Sequence, residues 1–163
     1  MAEGLRLIVI GLLSAASLTG LFLALAALFP AVVRRSVEAM DDAPGRAVAL
    51  GLANGLFLAV VGLGLTSLSQ GSGLDLLQIP AIAFLSLFLI TLCFGLAAVV
   101  QLVGERLFPG AGPVRQRIWA SLVLALGTLT PFVGWFGLFP YVAALGIGGF
   151  LLGWLRRPAL AEE

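Results

Sequence analysis

Few side chains in this sequence can do chemistry, and most of them lie outside its apolar stretches. Asp41 and Asp42 are neighbours in R-R-S-V-E-A-M-D-D-A-P-G-R, residues 34–46. Two adjacent carboxylates can bind a divalent cation, but metal sites in short loops recruit more oxygen ligands than this one offers. Helix capping is the better reading: either carboxylate can accept backbone N–H bonds, and Pro44 is placed for the first turn of a new helix. A phosphatidyl-transferase would need an aspartate cluster at metal-binding spacing, which this pair alone does not supply. Cys93 is the single cysteine and sits in an apolar segment, so it has no C-x-x-C partner and reads as a small buried hydrophobe. Histidine is absent, and with it the usual haem ligand and the commonest zinc ligand.

Four stretches carry no charge: 7–33, 47–74, 76–104 and 118–155. An ionisable group at the bilayer centre costs several kcal/mol and so marks proton relays and transport sites. The absence of such groups disfavours a pump or a secondary transporter. An intramembrane protease would need a Ser/His, Asp/Asp or metal constellation, and there is also no P-loop or dinucleotide fingerprint. Asn54, Ser86, Gln101, Thr128 and Thr130 read as packing glue, with Thr128 and Thr130 satisfying carbonyls freed by Pro131. The expectation is a non-enzyme with no catalytic residue, no cofactor and no metal site.

These residues must be carried by membrane-embedded elements. The 163 residues are 61% apolar and 10% charged, with a mean hydropathy of +1.14, whereas soluble domains are about a quarter charged. The sequence predicts an all-α integral membrane protein, a single transmembrane domain over 1–163. About five helices are expected, near 5–33, 44–68, 77–104, 116–132 and 139–156. A signal peptide is the competing reading of the first run, but signal h-regions span roughly 7–15 residues, so a retained anchor is expected. One crossing takes about 20 residues, so the block from Ile118 to Leu155 is too long for one helix and barely long enough for two. It is expected to form a short hairpin, with its reversal at Pro131, Gly134, Trp135, Gly137 and Pro140.

Ala47, Gly51, Gly55 and Ala59 recur every four residues, and Gly149 and Gly153 make a G-x-x-x-G in the last helix. Such stripes let helices approach closely, and Asn54 beside the first one can hydrogen-bond across the contact. The sequence leaves open whether the facing helix belongs to the same chain. All nine cations are arginines. With five crossings, all but Arg6 fall on one side, which puts the N-terminus outside and the C-terminus in the cytoplasm. The cations are not gathered on an exposed basic face, so nucleic acid is not an expected partner. Arg34, Arg35, Arg156 and Arg157 are the candidate contacts for anionic lipid headgroups. Trp119, Trp135 and Trp154 fit an aromatic belt; bound pigment is the minority reading.

Several segments carry a resemblance: L-F-P-A-V-V-R-R, D-D-A-P-G-R-A-V-A-L-G-L, Q-I-P-A-I-A-F, and T-P-F-V-G-W before a glycine-rich final helix. Together they resemble the multi-helix membrane region found with bacterial polymer-forming cytoskeletal (bactofilin-type) proteins and related small membrane proteins of unknown function. The accompanying β-helix is missing here. The resemblance implies a multi-pass architecture in a bacterial inner membrane and transfers no catalytic residue. The expected function is a non-catalytic structural or accessory subunit of a larger membrane complex, respiratory or photosynthetic, with other membrane subunits and lipids as partners. The alternatives are an anchor for a bactofilin-type cytoskeletal or envelope assembly, and a small channel or lipid or solute carrier with an uncharged pore.

Overall fold

A computed structural model describes residues 2–72, 75–129 and 132–155. Among these there are six α-helices and no strand: α1 (Ala2–Leu28), α2 (Pro30–Asp42), α3 (Pro44–Ser72), α4 (Gln78–Leu107), α5 (Pro113–Leu129) and α6 (Phe139–Leu155). A 3-10 turn, Asp75–Leu77, leads into α4, and a π-helical turn, Gly134–Leu138, leads into α6.

Three prolines set the helix ends. The residue before a proline is pushed out of the α region by the proline ring. Phe29 (φ −127°, ψ 55°), Ala43 (φ −145°, ψ 65°) and Phe108 (φ −131°, ψ 57°) precede Pro30, Pro44 and Pro109 and share this conformation. The first of these steps corrects the expected helix over 5–33, which stops at Leu28. The expected charged loop is also corrected, because 30–42 is the amphipathic helix α2. Val33, Ser36, Val37, Ala39 and Met40 are buried, while Arg34, Arg35, Glu38, Asp41 and Asp42 are exposed. The expected reversal at 131–140 is narrowed in the same way. Gly134, Trp135 and Gly137 are already helical, and Pro140 is in the first turn of α6. There the Phe139 N–H reaches the Gly134 carbonyl five residues back, and this wider turn relieves the crowding a proline ring causes in an α-helix. Pro131 lies outside the described residues.

The last helix is the hub. A helix apolar all round belongs inside, and α6 is buried on several sides, at Val142, Ala144, Leu145, Gly146, Ile147, Gly148, Gly149 and Gly153. Against α3, a Cβ added at Gly51 would overlap the Ala144 carbonyl and stand 2.7 Å from the Gly148 nitrogen. One added at Gly148 would stand 2.8 Å from the Gly51 nitrogen. Against α4, a Cβ at Gly146 would lie 2.7 Å from the Gly95 carbonyl carbon. Against α2, Gly149 faces the Met40 side chain, and Gly153 faces the Arg35–Ser36 backbone at 2.9 Å. The partners left open by the sequence are therefore in the same chain: the α3 stripe packs on α6 at Ala144, Ile147 and Gly148, and Gly149 and Gly153 of α6 pack on α2.

Two further contacts close the bundle. A Cβ at Gly104 would come within 2.9 Å of the Gln116 carbonyl, which holds α5 against α4. Phe29, Phe94 and Phe150 form an aromatic row with ring centroids 5.4 and 5.6 Å apart, joining the α1–α2 step to α4 and α6.

Among the described residues, four segments are long and apolar enough to cross a membrane: Val9–Leu28, Pro44–Gly71, Gln78–Leu107 and Gly134–Leu155. The chain is a helical membrane protein. With 17 residues, α5 spans roughly 25 Å, short of a hydrocarbon core of about 30 Å.

Gly51→Ala is expected to lower the unfolding free energy in mixed micelles by about 2 kcal/mol or more, because the added methyl enters backbone. Gly64→Ala, on the same helix with nothing within 4 Å, is expected to be neutral or to stabilise by up to about 1 kcal/mol. Equal effects at the two positions would contradict the α3–α6 contact.

Candidate functional site

The expected packing residues sit as follows. Ala47, Gly51, Gly55, Gly149 and Gly153 are buried, and Ala59 is half-buried. Gly55 lies under Ile147, whose Cδ1 is 3.1 Å from an added Cβ. Asn54 does not bond across the contact: its amide donates to the Leu50 carbonyl of its own helix at 3.2 Å, on an exposed part of α3. Trp119, Trp135 and Trp154 are exposed, and Trp119 lies beside Phe108 with ring centroids 6.4 Å apart. Arg34 pairs with Glu38 at 3.5 Å along α2. Arg35 lines a narrow cleft with Val32, Ser36, Phe150, Gly153 and Trp154. Arg156 and Arg157 lie outside the described residues, as does the side chain of Thr128 and all of Thr130.

The charged ends of three helices meet. Asp41 of α2 accepts from Arg106 of α4 instead of capping α3. Between α4 and α5, Arg117 donates to Gln101 at 3.0 Å, and Gln101 donates to Glu105 at 2.8 Å. Gln116 donates to the Phe108 carbonyl at 2.8 Å, which ties α5 to the end of α4. The Arg117 Nε is buried and has no acceptor. Gln101 and Arg117 were legible in the sequence only as packing glue and as a topology marker. Their pairing depends on the α4–α5 reversal, which brings positions sixteen residues apart together.

The remaining site was not legible at all. A half-open cavity of about 130 Å³ lies among α1, α4, α5 and α6, lined by Leu18, Thr19, Phe22, Leu96, Val100, Ser121, Leu124, Ala125, Phe139 and Val142. Ser121 is 6% exposed, and its hydroxyl has no acceptor. This departs from the local habit of the chain. Ser36, Thr66 and Thr91 each donate to the carbonyl four residues back, at 2.9, 2.8 and 2.9 Å, the usual way for a hydroxyl to be satisfied inside a helix.

Among the described residues, no group of three or more His, Cys, Asp or Glu is placed to hold a metal ion. The fold and these features define a glycine-packed, multi-span helical membrane protein with a polar junction at one end and an apolar cavity beside it. No family model matches the chain, and neither curated proteins nor solved structures give a significant match.

Gln101→Leu removes the acceptor that Arg117 has among the described residues and is expected to cost about 1–3 kcal/mol of stability in micelles. Asp41→Asn breaks a pair whose side chains are 62% and 59% exposed, and is expected to cost about 0–1 kcal/mol. The reverse order would show that the α2–α4 pair, and not the α4–α5 network, holds this end together.

Proposed function

We propose that the chain crosses a bacterial inner membrane five times, with its N-terminus outside and its C-terminus in the cytoplasm. In this reading it serves as a non-catalytic accessory subunit of a larger membrane complex. The fifth crossing needs α5 and the residues beyond Leu129 to complete a hairpin with α6. The contact of a Cβ at Gly127 with Leu138, 2.7 Å from its Cδ2, supports that reversal.

One observation carries the subunit reading. The glycine contacts are consumed inside the chain, around α6, while α3 and α4 turn large apolar side chains outward. Phe57, Val60 and Leu63 on α3 and Ile79, Ile82 and Leu89 on α4 are each more than half exposed. With the interior closed, the outer side of α3 and α4 is the surface left open to lipid or to a neighbouring subunit. This moves the expected docking surface from the Gly51 stripe to the outer side of α3 and α4.

Gentle detergent extraction from native membranes, followed by mass spectrometry, is expected to recover stoichiometric membrane partners. Gly64→Trp, on an open stretch of α3, is expected to release those partners while the chain keeps its helix content and melting behaviour. A chain that runs alone, or only with lipid, would overturn the subunit reading in favour of a carrier or channel. Recovery of a polymer-forming cytoplasmic protein would mark it instead as an anchor.

A further inference from the structure

We propose that the cavity beside Ser121 is a lipid site, and that it takes the ester end of one acyl chain of a bilayer glycerolipid. The Ser121 hydroxyl is its hydrogen-bond donor. The proposal rests on the membrane placement given above and is independent of the subunit role.

The hydroxyl sets the chemistry. Ser121 is buried, and no protein acceptor reaches its Oγ, although comparable hydroxyls at Ser36 and Thr91 bond their own helix. An unmet buried donor is costly, so an acceptor is expected from whatever fills the cavity. Apart from Thr19 and Ser121 the lining is apolar, so it suits an occupant that is mostly hydrocarbon. An apolar molecule with a single carbonyl acceptor meets both demands.

Size and depth point to a lipid ester. A cavity of about 150 Å³ holds a benzene ring, so this one, at about 130 Å³, takes a carbonyl and a few methylenes. It is half-open, so the rest of a long chain can run out along the helices. Ser121 lies one turn from Arg117 on the same face of α5, roughly 6 Å deeper along the axis. That is about the thickness of one polar interfacial layer of a bilayer. With Arg117 at headgroup level, Ser121 is at the level where ester carbonyls meet hydrocarbon.

The test uses the full chain in vesicles of phosphatidylethanolamine and phosphatidylglycerol. These carry traces of two diester phosphatidylglycerols, one with a diazirine close to the ester and one with it near the chain end, and labelled peptides are mapped after photolysis. Labelling is expected at the cavity lining as well as on the outward faces of α3 and α4, where Phe57 and Ile82 report membrane placement. Unlabelled diester lipid is expected to compete at the lining roughly two- to tenfold better than its diether analogue, which lacks the carbonyl, as one hydrogen bond allows. Ser121→Ala is expected to level the two competitors. Ala125→Phe, filling the cavity, is expected to abolish labelling of the lining while leaving that of Phe57 and Ile82.

Equal competition in the unaltered chain would overturn the proposal, and so would a preference that survives Ser121→Ala or lining labelling that survives Ala125→Phe. Absence of labelling at Phe57 and Ile82 would overturn the membrane placement, and the site with it.

Discussion

Backbone-to-backbone contact around α6 is the constraint on which the rest of this structure depends. In a bilayer, helices gain nothing by hiding apolar side chains from one another, because lipid is equally apolar. What remains is dispersion, which falls off within fractions of an ångström and therefore rewards the closest approach. Gly51 against Ala144 and Gly148, Gly95 against Gly146, and Gly153 against the Arg35–Ser36 backbone remove the side chains that would hold the helices apart. Since α6 serves α2, α3 and α4 at different points along its length, its many small residues are used on more than one face. A stripe on one side only would have paired two helices. Small residues spread around the helix make it a centre.

The second device is proline punctuation. Phe29, Ala43 and Phe108 leave the helical region because of the proline that follows each of them. The first two steps cut out α2 as a separate amphipathic piece, which can then lie with Met40 and Val33 inward and its charges outward. The third releases the end of α4, so that α5 can return beside it and bring Arg117 to Gln101. Asp41, Arg106, Gln101, Glu105 and Arg117 are thereby gathered at one end of the bundle, while the opposite ends of α3 and α4 carry only uncharged polar residues, such as Ser67, Gln70 and Gln78, among apolar ones. The Ser121 hydroxyl sits just inside that polar end, where a lipid's own acceptor is closest to hand.

Much of this was legible in the sequence, and the parts that were not have physical reasons. Uncharged runs and Gly-x-x-x-Gly spacing are local properties, so the helical membrane character and the identity of Gly51, Gly149 and Gly153 as packing residues could be read directly. Their partners could not, because a small-residue face says how closely a helix may approach and nothing about which helix approaches. The α2 helix had a readable signal, apolar Val33, Val37 and Met40 at helical spacing among charges, but the uncharged run across Pro30 masked it. The interhelix bond expected of Asn54 is replaced by one to its own helix, at an exposed position beside the stripe. Ser121 had no sequence signal, because what sets it apart is an acceptor it lacks.

The most direct test of the central claim is cysteine cross-linking between α3 and α6. Cys93→Ser removes the native thiol, and Gly55→Cys with Ile147→Cys puts one thiol on each side of the contact in which the Ile147 Cδ1 covers Gly55, 3.1 Å from an added Cβ. Mild oxidation in native membranes is expected to give a cross-link within one chain, seen as a faster-running monomer on a denaturing gel and as a linked peptide pair by mass spectrometry. A disulfide-linked dimer in place of the cross-linked monomer would show that the glycine faces dock onto another chain, and α6 would no longer be the centre of this one.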